Sequence, residues 1–277
     1  AGICMDVDTN SSYIKFHYEI HGMARKWLFF DVLVNGVLMD HIGTDEVQEM
    51  QGVFCYQIPK SEGMNRVTVY LPHIMEVSLS DITFSDGAIV NAAQHFQKNL
   101  LCMGDSITQG MDSKYPSITY PVILADFLKM NLLNQGVGGY FFDEKVIDEK
   151  LSFVPDLITV AYGTNDWSKY ERYSDFHTEA EKFLKKLADT YQNALIFIIS
   201  PIWRADCNTE KPMGEFNAIS KGLQHICGQF QNLNYINGMT LVPNNSGFYY
   251  DGQIHPNELG FSQYGFHLMK EILNKIS

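Results

Sequence analysis

The chain has 277 residues, 45% of them hydrophobic and 19% charged, with a formal net charge of −12. That is the balance of a folded globular protein, at a length that favours two domains over one. The acidity argues against nucleic acid or an anionic membrane surface as partner, since both need a positive face. No apolar run approaches the roughly 20 residues needed to span a bilayer.

The chain begins AGICMDVDTN, without the basic start and apolar segment of a signal peptide. Its five cysteines, Cys4, Cys55, Cys102, Cys207 and Cys227, are scattered and form no CxxC pair. This pattern predicts reduced structural thiols in a cytoplasmic protein, although a chain that starts at Ala1 leaves secretion open. From residue 12 the pattern is β. SYIKFHYEI (12–20) alternates, with Ile14, Phe16, Tyr18 and Ile20 on one face and Tyr13, Lys15, His17 and Glu19 on the other. WLFFDVLV (27–34) runs into Asn35-Gly36, a strong hairpin signal. NRVTVYLP (65–72), MEVSLSDITF (75–84) and AIVNA (88–92) continue the series. Residues 1–94 are therefore predicted to form an all-β sandwich, jelly-roll-like.

Beyond residue 95 the period changes. Strands are predicted at 100–103, 132–134, 157–162, 195–200 and 234–237. Helices are predicted at 119–130, 178–192, 214–230 and from about Asn257 to Ile276, with Thr178 and Glu181 as a capping box. This alternation predicts a five-stranded parallel sheet covered on both faces, an α/β domain over 95–277.

Ligands of open parallel sheets bind beyond the carboxyl ends of the strands. Four polar stretches lie at such ends or in late loops that could reach them. GDSITQG (104–110) puts Ser106 near a helix start, where it reads equally well as a nucleophile or as an ordinary N-cap. NQGVGG (134–139) offers backbone N–H groups but fails the dinucleotide GxGxxG pattern at Phe141. YGTND (162–166) offers the Asn165 amide, or simply a turn closing a strand. DGQIHPNELG (251–260) carries Asp251 and His255, which could supply a base and the acid that orients it. His255 and Glu258 could also mimic a metal pair, but no suitable third ligand is near in sequence.

Taken in order, the four stretches resemble the SGNH (GDSL-type) hydrolase superfamily. The resemblance covers about residues 98–277 and implies a three-layer α/β/α, flavodoxin-like fold. It implies Ser106 as nucleophile, His255 as base and Asp251 as orienting acid. Ser106, Gly139 and Asn165 are the implied oxyanion donors. The family's last block usually has two residues between Asp and His; here there are three, Gly252, Gln253 and Ile254. Either a bulge lets Asp251 reach the imidazole, the reading favoured here, or another group such as a backbone carbonyl orients it.

Some superfamily members carry a β-sandwich ahead of the catalytic domain, which suggests a role in shaping the site or binding a sugar, or a purely structural one. Substrate-pocket candidates are Asp105, Tyr140, Trp167, Trp203 and Arg204; Phe141 and Phe142 are further aromatics nearby. Arg204 could instead pair with Asp206. The expected activity is hydrolysis of a carboxylic ester, with a small acyl group on a carbohydrate as the preferred substrate and no metal or organic cofactor. The alternatives are acyl transfer to a hydroxyl and non-catalytic carbohydrate binding.

Overall fold

A computed structural model describes residues 1–276. The chain forms two compact units. One comprises Ala1–His95 together with Lys114–Ser117; the other comprises Phe96–Ser113 and the chain from Ile118 onward.

The first unit holds β1 (Cys4–Thr9), β2 (Tyr13–Met23), β3 (Leu28–Val34), β4 (Val37–Thr44), β5 (Gln51–Gln57), β6 (Asn65–Tyr70), β7 (Met75–Phe84) and β8 (Val90–Ala92). Five strands pair antiparallel in the order β4-β3-β6-β1-β8, and three in the order β5-β2-β7. The alternation read in β2 is the one used. Ile14, Phe16 and Ile20 are buried while Lys15, His17 and Glu19 are exposed, because successive side chains of a strand face opposite ways. Phe16 stacks on Phe54 at 4.4 Å and meets Phe30 edge-on at 5.5 Å, joining the two sheets through one core. Asn35 and Gly36 both have positive φ and close the β3–β4 hairpin, as a tight primed turn demands. Strands β1 and β5 had no alternating sequence signal: β1 has only Cys4, Met5 and Val7, and β5 has one unbroken run, Val53 to Tyr56.

The second unit contains, in chain order, β9 (Lys98–Gly104), α1 (Ser106–Gln109), α2 (Tyr120–Leu128), β10 (Met130–Gly136), β11 (Leu157–Ala161), α3 (Asp166–Lys169), α4 (Tyr173–Thr190), β12 (Leu195–Ile199), a two-residue hairpin of β13 (Glu210–Lys211) and β14 (Gly214–Glu215), α5 (Asn217–Cys227), β15 (Leu233–Ile236) and α6 (Glu258–Ile276). Its main sheet is wholly parallel, ordered β10-β9-β11-β12-β15. Alternate residues of the apolar strands serve opposite faces. Leu101, Met103, Ile158, Val160, Ile196 and Ile198 pack with α4 and α5, through Phe176, Phe183, Leu187, Ile219 and Leu223. Leu100, Cys102, Leu157, Phe197 and Ile199 pack with α2 and α6, through Tyr120, Leu124, Phe261, Tyr264 and Leu268. Burial of each such side chain contributes roughly 1.5–3 kcal/mol, which is why the strands read as continuous apolar runs.

The expected capping box does not form. Helix α4 starts five residues before Thr178, and the Thr178 hydroxyl bonds back to the Ser174 carbonyl inside the helix. Phe176, one turn after the start, is fully buried, so packing extends the helix past the local start signal. No helix among the described residues is long and apolar enough to cross a membrane.

Candidate active site

Register brings the loop starts together. Gly104 of β9 lies level with Gly136 of β10 and Ala161 of β11, so three of the polar stretches leave the sheet side by side. Strand β9 is also where the order reverses, with β10 on one side and β11 on the other, the place where open α/β sheets form a crevice. Gly104 is needed for space rather than for φ: a Cβ there would fall on the Thr108 hydroxyl and 2.9 Å from the Ala161 carbonyl.

Ser106 opens α1 but does not cap it. The cap is Asp105, whose Oδ1 accepts from the Ile107 N–H at 2.9 Å. The Ser106 hydroxyl, released from that task, lies 2.9 Å from His255 Nε2 and is placed to donate to it. His255 comes from the loop before α6. The Asp251 turn that carries it is built on one oxygen: Asp251 Oδ1 accepts from the N–H of Gln253 and Ile254, both at 2.8 Å, and of His255 at 3.3 Å. The other oxygen, Oδ2, stands 3.3 Å from His255 Nδ1. Three intervening residues thus still let the carboxylate reach the ring.

A second carboxylate stands closer. Asp112 Oδ2 lies 3.1 Å from His255 Nδ1, and its side chain is fully buried, against 33% exposure for Asp251. Sequence reasoning missed Asp112. It is six residues past Ser106, and its position depends on two left-handed residues, Gly110 at φ 96° and Asp112 itself at φ 71°. The nearest sequence signal was an acidic residue just after the first block. Burial pulls the His255 pKa down, but the hydrogen bond to Asp112 and the charges of Asp112, Asp251 and Asp105 outweigh it and leave the imidazole above its ordinary value. Asp112, Asp251 and His255 also bring three ligand atoms within 4.8 Å of one another. A cation bound there would take the place of the Nδ1 proton.

The remaining residues divide. The loop after β10 approaches Ser106: a Cβ on Gly138 would come 3.9 Å from the Ser106 Cβ, and the Gly138 N–H donates to Gln109 Oε1 at 3.1 Å. Gly139 has φ 76°, and its N–H, like that of Ser106, meets no acceptor among the described residues. Asn165 Nδ2 donates to the Tyr140 carbonyl at 2.9 Å, which uses one of its two N–H bonds.

Three pocket candidates are corrected. Asp105 is 2% exposed and busy capping α1, with burial pushing its carboxyl up to about 6. Trp167 is fully buried and donates to the Gly214 carbonyl. Arg204 is 6% exposed, its guanidinium spent on Asp206 and the Thr164 carbonyl. Phe142, too, is core, packed with Tyr162 and Phe183. Tyr140 and Trp203 are half-buried; Tyr140 stacks on Phe141 and Trp203 packs on Tyr249.

Comparison with known proteins agrees with this architecture. Similar solved structures include a salicylyl-acyltransferase from a tetracycline biosynthetic pathway (TM-score 0.81, 18% identity, covering 99% of this chain and 82% of that one). A GDSL-like lipase from Bacteroides ovatus superposes with a TM-score of 0.80 at 20% identity, covering 100% and 85%. A family two carbohydrate esterase from Clostridium thermocellum, solved with cellohexaose, gives 0.74 at 14% identity, covering 100% and 93%. At these identities the likeness establishes the fold: an α/β SGNH unit with an antiparallel β unit before it. No curated protein sequence matches this chain. The family model for GDSL-like lipases and acylhydrolases matches residues 102–262, more than half of the chain. The chain belongs to the GDSL-like lipase/acylhydrolase family, within the SGNH superfamily.

Proposed function

We propose that this protein is a serine esterase that works through an acyl-enzyme. The observation that carries the reading is the line from the Ser106 hydroxyl to His255 Nε2 at 2.9 Å, with two carboxylates on the opposite ring nitrogen. A hydroxyl becomes a usable nucleophile when an adjacent base accepts its proton and a third group holds that base in the right tautomer.

In this mechanism Ser106 Oγ attacks the ester carbonyl carbon while its proton passes to His255 Nε2. The carbonyl oxygen becomes an oxyanion, held by the N–H groups of Ser106 and Gly139 and by the second N–H of Asn165 Nδ2. Asp112 and Asp251 stabilise the imidazolium through Nδ1–H. The tetrahedral intermediate collapses, the alcohol leaves with the proton from Nε2, and the acyl group stays on Ser106. A water then gives up its proton to Nε2 and attacks the acyl-enzyme. The acid is released and Ser106 recovers its proton. No step calls for a metal or organic cofactor.

For substrate we infer a small acyl group, such as acetyl, on a carbohydrate. The support is the shared fold with family two carbohydrate esterases. Acyl transfer to an alcohol needs only that the alcohol replace water in the second half. The shared fold with a salicylyl-acyltransferase keeps that second reading in view. Hydrolysis of nitrophenyl esters of increasing chain length tests the serine mechanism, with Ser106→Ala and His255→Ala alongside. Both variants are expected to lose nearly all turnover. An inert wild type or a fully active Ser106→Ala would overturn it. Release of acetate from acetylated oligosaccharides, against ester formation when an alcohol is added, separates the two acceptors.

A further inference from the structure

The mechanism needs the N–H groups of Gly139 and Asn165 aimed at one point, yet Gly139 sits in a loop, 137–142, that belongs to no helix or strand. The near end of that loop is fastened to the sheet. The Val137 N–H bonds to the Gly104 carbonyl at 2.9 Å. Gly139, at φ 76°, then lies in a turn whose Tyr140 N–H returns to the Val137 carbonyl at 3.1 Å. A turn closed on itself fixes its own shape but not its direction. What aims it must hold the chain on the far side of Gly139.

Two consecutive residues do so. Asn165 Nδ2 donates to the Tyr140 carbonyl at 2.9 Å, and Asp166 Oδ1 accepts from the Phe142 N–H at 3.2 Å. Both stand at the start of α3, which is firmly seated. The Trp167 N–H bonds to the Gly163 carbonyl at 3.1 Å, and its buried indole donates to the Gly214 carbonyl at 2.8 Å. All of these contacts lie within the α/β unit. Asp166 is fully buried, and its second oxygen, Oδ2, meets no hydrogen-bond partner among the described residues. Leaving a buried polar atom unsatisfied costs about 1–3 kcal/mol, a cost that an apolar residue at 166 would avoid. The Phe142 ring is packed by Tyr162 and Phe183 in any case. What the carboxyl adds is the direction of the Phe142 backbone.

We propose that Asp166 is a positioning residue for the oxyanion donors: by fixing the Phe142 N–H it aims the 137–142 loop, so that the Gly139 N–H and the second N–H of Asn165 converge on one oxygen. The inference rests on the serine-esterase reading and deepens it. The two neighbours divide the task. Asn165 uses one N–H on the loop and keeps one for the substrate, whereas Asp166 gives its acceptor wholly to the loop. Oδ1 can accept whether or not the carboxyl carries a proton on Oδ2, which matters because burial pushes this group up to about 7. The role therefore needs an acceptor at Oδ1, not a charge.

The test uses the full chain and nitrophenyl acetate. Asp166→Asn keeps an oxygen at Oδ1, Asp166→Ala removes it, and Asp166→Ser keeps a polar group too short to reach the Phe142 N–H. Misplacing a reacting geometry by about 1 Å costs up to about 100-fold, so Asp166→Ala and Asp166→Ser are expected to lower kcat between about tenfold and 100-fold, with KM within about twofold. Asp166→Asn should retain wild-type kcat. Ethylboronic acid forms a tetrahedral adduct on the serine and draws on the same donors, so its inhibition should weaken in Asp166→Ala and recover in Asp166→Asn. The acid limb of kcat/KM should not move, because the carboxylates acting on His255 are Asp112, Asp251 and Asp105. Combined with Asn165→Ala, Asp166→Ala should add less than its separate effect, because both act through one loop. Circular dichroism and cooperative thermal unfolding check the fold; if Asp166→Ala does not fold, Asp166→Ser and Asp166→Asn decide. Wild-type kcat in Asp166→Ala or Asp166→Ser, an equal loss in Asp166→Asn, a moved acid limb, or full additivity with Asn165→Ala would overturn the assignment. Ser106→Ala runs in parallel: if it stays active the esterase reading itself fails, and if it is dead while Asp166→Ala and Asp166→Ser behave as wild type only the positioning role does.

Discussion

Replacing Asp112 by asparagine asks which carboxylate governs the imidazole. The substitution keeps volume and shape in a fully buried position while removing the charge 3.1 Å from His255 Nδ1. A hydrogen bond to a charged partner contributes about 1.5–3 kcal/mol. At 1.36 kcal/mol per decade of rate, its loss corresponds to a fall in kcat/KM of about 10- to 150-fold. Asp251, at 3.3 Å, stays in place and keeps the loss from reaching that of a wholly unsupported histidine. Its own side chain is 33% exposed and therefore screened. A partly exposed pair contributes about 0–1 kcal/mol, so Asp251→Asn should cost no more than about fivefold. The pH profile gives an independent sign. The base acts neutral, so activity rises with pH through the His255 pKa. Asp112 raises that pKa, so removing it should shift the acid limb to lower pH while lowering the plateau. The assay is kcat/KM for nitrophenyl acetate across the pH range, with circular dichroism as a fold check. An Asp251→Asn loss larger than that of Asp112→Asn, or an acid limb unmoved in Asp112→Asn, would refute this ranking.

Four further outcomes follow. Asn165→Ala should lower kcat about 10²- to 10³-fold with KM little changed, measured by steady-state kinetics, if its free N–H serves the oxyanion. Gly104→Ala should fail to give a cooperatively folding protein, because its Cβ meets Thr108 and the Ala161 carbonyl. Gly139→Ala meets nothing within 4 Å and should lose only about 1–2 kcal/mol to its positive φ, read from thermal unfolding. Burial raises the Asp166 carboxyl from 3.8 to about 7, so between those values the native state holds a proton that the unfolded chain has lost. Its contribution therefore makes stability fall as pH rises from about 4 to about 7, and Asp166→Asn should flatten that slope in urea titrations.

Much of this was legible in the chain itself, for identifiable reasons. The period-2 pattern of 12–20 assigned the inner face of β2, and the runs at 100–103, 157–162 and 195–200 marked strands buried on both faces. These are local signals, because each residue's face follows from its neighbours' spacing. Start signals misled where packing overruled them, as when buried Phe176 carried α4 past Thr178. Pocket residues were the weakest reading. Trp167 and Arg204 leave strand ends in sequence, but whether such a side chain turns outward or into the core is settled by what packs over it.

By itself, then, the sequence determined the two-part organisation of elements, the parallel sheet and the four polar stretches with the family they mark. Only the tertiary structure decided that Asp105 rather than Ser106 caps α1, that Asp251 reaches Nδ1 across three residues, and that Asp112 stands there too. The physical reason is that these depend on backbone turns at positive φ and on partners far along the chain. Asp112 meets a histidine more than a hundred residues later, and the segment after it is held by Asp31 and His41, strands earlier. Spacing along a chain carries no record of such meetings; they exist only once the strands and loops have closed around them.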